Sequence, residues 1–97
     1  MIRVVVKKDI IMISGHACYD ELGKDIVCAA VSSSVLTTIN AILSINPDSI
    51  KVEEGETLII NILKQDNITN ILLNNMINML KELEKDYKDN IQVIKEE

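Results

Sequence analysis

The sequence predicts an α+β domain in the order ββαββαβ, a mixed or antiparallel sheet packed with two long helices, and three features predict it. Short runs rich in Val and Ile come in pairs, at 2–6 with 10–14 and again at 49–53 with 56–63. Each pair is followed by a long segment whose apolar residues recur at helical spacing. A last short apolar run, Ile91, Val93 and Ile94, follows Asn90 and precedes a charged end.

Taken in order, the first two runs are separated only by Lys7, Lys8 and Asp9, which predicts a tight hairpin, although without the Asn-Gly that would fix its turn type. Both runs, Val4-Val5-Val6 and Ile10-Ile11-Met12-Ile13, are apolar without alternation. Strands of that kind are covered on both faces, by helices or by another subunit, so a homodimer is expected. Ser14 to Lys24 is a polar segment with glycines at 15 and 23, read as a loop. Asp25 is an N-cap candidate for a helix with Val27, Val31, Val35, Ile39 and Leu43 on its buried stripe, ending near Asn46-Pro47. The second strand pair turns at Glu54-Gly55. Asp66 or Asn67 then caps a second helix whose stripe is read as Ile68, Leu72, Met76, Met79, Leu83 and Tyr87.

At 97 residues the chain has room for one core, so 1–97 is read as a single domain. Hydrophobic residues make up 47% and aromatic residues 2%, which leaves an aliphatic core and no platform on which bases could stack. The net charge of −5 also disfavours phosphate contacts, so no direct nucleic-acid partner is expected and a basic protein partner is. No run of consecutive apolar residues reaches the roughly 20 that span a bilayer, and Met1-Ile2-Arg3 leads into strand rather than signal-peptide pattern. A cytoplasmic protein without a membrane partner is the expectation.

Cys18 and Cys28 are too few for a disulfide framework, and His16 is the one histidine, so neither a metal nor a cofactor is expected. His16-Ala17-Cys18 with Cys28 lacks both the Glu and the Pro-Cys-x-x-Cys pair of a zinc deaminase. Cys28 falls three residues after Asp25, in the first turn of a helix, where unpaired N–H groups and the macrodipole favour negative charge and hence a thiolate. The same N–H groups suit a tetrahedral oxyanion. His16 lies just past a strand end, from which the loop would return it toward Cys28 as a base. Ser32, four residues on, shares the face of Cys28 among small neighbours. The residues alone leave a plainer reading open: an inert core thiol, a surface histidine and an Asp25 that only caps.

Gly15-His16-Ala17, then Gly23, then Asp25-Ile26-Val27-Cys28-Ala29-Ala30-Val31-Ser32 resembles the ribosomal-processing cysteine protease family, Prp. The resemblance implies an endopeptidase that removes the N-terminal extension of large-subunit ribosomal protein number 27. His16 and Cys28 match its catalytic positions, and Ser32 matches a serine associated with the site. Ala17 to Lys24 matches a mobile segment that orders over bound peptide, so Gly15, Ala17, Gly23, Asp25 and Ser32 form the candidate substrate-binding set. A homodimer is implied as well. The rival reading is a non-catalytic ribosome-associated module that holds a peptide in the same groove without cutting it.

Overall fold

The structure, a computed structural model, describes residues 1–15 and 25–96, without the side chain of Asp25. The elements are β1 (Ile2–Val6), β2 (Ile10–Ser14), α1 (Asp25–Ile45), β3 (Ile50–Glu53), β4 (Thr57–Ile62), α2 (Asn67–Asp86) and β5 (Ile91–Lys95). The expected α+β order ββαββαβ holds.

The strands form one mixed sheet in the order β3-β4-β2-β1-β5. Among the described residues the β1·β5 pair is parallel, and β1·β2, β2·β4 and β3·β4 are antiparallel. The Lys7-Lys8-Asp9 connection closes with Lys7 N–H donating to the Ile10 carbonyl at 2.9 Å. The edge strand β5 is tied to α2, where the Glu84 carboxylate accepts from the Val93 N–H at 2.8 Å. A backbone donor that would otherwise face solvent is thereby satisfied.

Alternation along each strand sorts the side chains onto two faces. One face carries Ile2, Val4 and Val6 of β1, Ile11 of β2, Ile50 of β3, Ile60 of β4 and Ile91 of β5, all buried. Against it pack Val27, Val31, Val35, Ile39 and Ile42 of α1 and Leu73, Met76, Ile77 and Leu80 of α2. Each such side chain contributes about 1.5–3 kcal/mol by leaving water, so this single layer contact is the main source of stability. On the other face, register aligns Ile59, Met12, Val5 and Ile94 in one row across four strands. These four are only half-buried. Among the described residues, therefore, helices cover one face of the sheet and not both.

Both helix stripes are rotated slightly from expectation. In α1 the last buried position is Ile42, while Leu43 is exposed. In α2 the buried line is Thr69, Leu73, Met76, Ile77 and Leu80. Ile68 and Met79, expected on that line, are 46% and 51% exposed. Thr69 turns inward because its hydroxyl has polar partners, 2.9 Å from Asp66 Oδ2 and 3.0 Å from Ser49 Oγ. Ser49, itself buried, donates to the Asn46 carbonyl at 2.8 Å. The end of α1, the start of β3 and the first turn of α2 are thus joined by one satisfied polar knot.

The N-cap of α2 is Asp66, which accepts from the Thr69 N–H at 2.9 Å. That backbone bond holds the Asp66 carboxyl below the ordinary value of 3.8, with side-chain bonds from Thr69 and Asn46 acting in the same direction against desolvation. Helix α1 differs in kind. Ile26–Ile45 has a mean hydropathy of 1.9 and would pass as a membrane span by length and composition, against the expectation that no segment would. Its buried line against the sheet identifies it as the core helix of this layer.

Candidate active site

The end of β2 lies beside the N-terminal end of β1, since β2 runs antiparallel to β1 and pairs Ser14 with Arg3. Gly15 closes β2 with φ of 81°, a left-handed conformation that side chains disfavour. A Cβ at this position would also meet the Met1 carbonyl oxygen. Glycine is therefore required on two counts where the chain leaves the sheet toward His16. His16, Ala17, Cys18, Gly23 and the Asp25 side chain lie outside the described residues.

Cys28 is the fourth residue of α1, inside its first turn. Its neighbour Val27 is buried and Ala29 is exposed, while Cys28 is half-buried and packs against the edge of the core. The thiol thus sits where core meets solvent. A helical Cα–Cβ bond tilts toward the N-terminus, the end at which the first-turn N–H groups have no acceptor inside the helix. Such N–H groups are suited to holding an anionic oxygen.

Ser32 is exposed on the same helical face, one turn beyond Cys28, as its spacing requires. Beside it opens a pocket of about 170 Å³ lined by Ile13, Val31, Ser32, Val35, Leu36 and Leu58. Its floor comes from Ile13 of β2 and Leu58 of β4, which are register partners. Sequence reasoning placed Ile13 and Leu58 in strands and Leu36 off the buried stripe, without connecting them to a site. The available signal was that 26–45 holds no charged residue, so the solvent side of this helix is unusually apolar.

Cys28 in the first turn of α1, on the helical face that Ser32 continues beside an apolar pocket, is the candidate site, and the comparisons supply the family. The chain matches the model of the cysteine protease Prp family over residues 1–92 and belongs to that family. It is 33% identical over 89 residues to the ribosomal processing cysteine protease Prp of Staphylococcus aureus, covering 88% of this chain and 83% of that protein. Identity to the Bacillus subtilis protein of the same name is 33% over 99 residues, covering 82% and 79%. Among solved structures, an essential ribosomal processing protease Prp from S. aureus with a covalently linked product peptide superposes with a TM-score of 0.90. That match is 24% identical and covers 99% of this chain and 100% of the other. SMU.848 from Streptococcus mutans gives a TM-score of 0.83 at 20% identity, covering 97% and 90%. The chain is a cysteine protease of the ribosomal-processing type.

Proposed function

We propose that this protease removes the N-terminal extension from the precursor of large-subunit ribosomal protein number 27, with Cys28 as nucleophile and His16 as base. The observation that carries the reading is Cys28, half-buried in the first turn of α1 with exposed Ser32 on its face. His16 takes the thiol proton, Sγ bonds to the scissile carbonyl carbon, and first-turn N–H groups hold the oxyanion. Collapse of this intermediate breaks the C–N bond, and the proton passes from His16 to the departing amine. Water activated by the same imidazole then hydrolyses the thioester and restores the thiol.

Gly15, Ala17, Gly23, Asp25 and Ser32 frame the peptide in this reading. The net charge of −5 supports a basic ribosomal substrate by steering it at long range. We place the protein in the cytoplasm as a single domain, 1–97, that pairs as a homodimer. The row Ile59, Met12, Val5 and Ile94 supports pairing, because an apolar sheet face without a helical cover among the described residues is suited to a second copy.

Mass spectrometry of the extended precursor after incubation with wild-type protein and with Cys28→Ala tests the assignment. The expected result is one Cys28-dependent cut that removes the extension. Cutting undiminished in Cys28→Ala would end the nucleophile assignment. Binding without any cut by the wild-type protein would favour the peptide-holding module.

A further inference from the structure

The turn between β1 and β2 stands at the end of the sheet away from Gly15. Met1 lies against Gly15, and Lys7 is six residues further on, so an extended strand separates the two by about 20 Å. At this turn a pocket of about 360 Å³ is lined by Val6, Lys7, Lys8, Lys95 and Glu96. A second pocket, of about 230 Å³, shares Val6, Lys7 and Lys8 and adds the side-chain amides of Asn70 and Asn74. Neither lining includes a residue of α1, so both are separate from the groove beside Ser32.

The backbone of the turn is held from two sides. Val6 is in register with Lys95, and the Glu96 N–H donates to the Val6 carbonyl at 2.7 Å, which brings the end of β5 to the lysine pair. On the other side the Ile62 N–H donates to the Asp9 carbonyl at 2.8 Å. Gln65 Nε2 donates to the Lys8 carbonyl at 3.3 Å and to Asp9 Oδ1 at 3.2 Å, so the Asp9 carboxylate has a donor of its own. A ligand at this place has only lysine side chains to order, not the chain that carries them.

Charge and chemistry narrow what the larger pocket accepts. The chain carries a net charge of −5, yet this lining sets three ammonium groups against the one carboxylate of Glu96. Among the described residues the ion pair formed is Lys85 with Glu82, so Lys7, Lys8 and Lys95 spend no charge on an internal partner there. Neither pocket is lined by Arg, so the planar fork that selects a carboxylate is missing, whereas ammonium groups bind phosphate as point charges. The volume falls within the roughly 300–1,000 Å³ of small-ligand sites. No aromatic side chain is present to stack a base. A long polyanion would run on past the lysines, beyond the screening length of about 8 Å, into the negative field of the rest of the chain.

We infer that Lys7, Lys8 and Lys95 form a binding site for a compact diphosphate group, at the end of the sheet opposite Gly15. The site goes beyond peptide cleavage and does not depend on it.

The test titrates inorganic pyrophosphate onto the protein by calorimetry, and follows backbone amide shifts by NMR in the same buffer. Saturable binding of one equivalent is expected, with the shifts concentrated at Val6, Lys7, Lys8, Lys95 and Glu96. Removing both turn lysines in Lys7→Ala/Lys8→Ala is expected to weaken Kd at least about tenfold, and Lys95→Ala about threefold, the scale of solvent-exposed charge-assisted contacts. All three lysines are exposed, so these variants should keep the circular dichroism of wild type. Lys88→Ala removes the same charge just past the far end of α2 and should leave Kd as in wild type. Cys28→Ala should bind as wild type does, which keeps this result separate from any failure of the protease assignment. Absence of saturable binding, shifts centred elsewhere, or a Kd unmoved by Lys7→Ala/Lys8→Ala overturns the site. Citrate binding as tightly as pyrophosphate overturns the choice of phosphate, and a short single-stranded RNA binding more tightly overturns the compact ligand.

Discussion

At Gly15 the backbone takes φ of 81° and the Met1 carbonyl occupies the space of a side chain, so Gly15→Ala meets two penalties at once. The left-handed backbone alone costs about 1–2 kcal/mol for a residue with a Cβ. Thermal unfolding of Gly15→Ala should therefore show a clearly lowered Tm, together with reduced cleavage because His16 is the next residue. Cys28→Ala behaves oppositely. Removing one half-buried sulfur leaves the packing of Val27 and Val31 in place, so this variant should keep a Tm near wild type, measured in the same scan, while losing cleavage. Site legibility at this scale was uneven. The motif around Cys28 was readable because a first-turn cysteine needs only chain spacing, whereas Leu58 joins the site through sheet register, which spacing does not encode.

At the scale of elements, the cap and knot at the start of α2 carry a pH-dependent contribution. The Asp66 carboxyl is held below its ordinary value, so the folded state favours the ionised form. Its stabilisation is complete above the ordinary value of 3.8 and is lost as pH falls through the lowered one. Asp66→Asn should thus lower Tm at neutral pH and lose most of that difference in strong acid, as followed by circular dichroism across pH. Thr69→Val keeps the shape of the buried side chain but removes the hydroxyl facing Ser49 and Asp66. A loss of about 1–2 kcal/mol in urea unfolding is expected. The same residue shows why helix existence was legible and helix rotation was not. Apolar spacing marked α2 correctly, yet a periodic template assigned Ile68 inward, whereas the structure buries Thr69 because Ser49 and Asp66 satisfy it. Ser49 lies twenty residues away, outside what apolar spacing along the helix reports.

At the scale of the molecule, the expected layer order was reached because strand runs and helical spacing alternate so regularly along the chain. Coverage of the sheet was less legible, since a non-alternating run does not say which covering comes from the same chain. Both helices lie on the face of Val4 and Ile60, which leaves the row of Ile59, Met12, Val5 and Ile94. Met12→Glu places a charge at the middle of that row. Sedimentation velocity is expected to show a dimer for wild-type protein and a monomer for Met12→Glu, with circular dichroism unchanged. A monomeric wild type across micromolar concentrations would remove the pairing proposal.

The parallel ladder between β1 and β5 has a consequence for the order in which the molecule becomes complete. Strands made at opposite extremes of the described chain are laid side by side, so the first hairpin waits through the synthesis of everything between before its outer flank is closed. Residues 91–95 act as a late latch, and a chain halted before them would present β1 as an open edge. The newborn enzyme closes the β1 flank of its sheet only after residues 91–95 have been made.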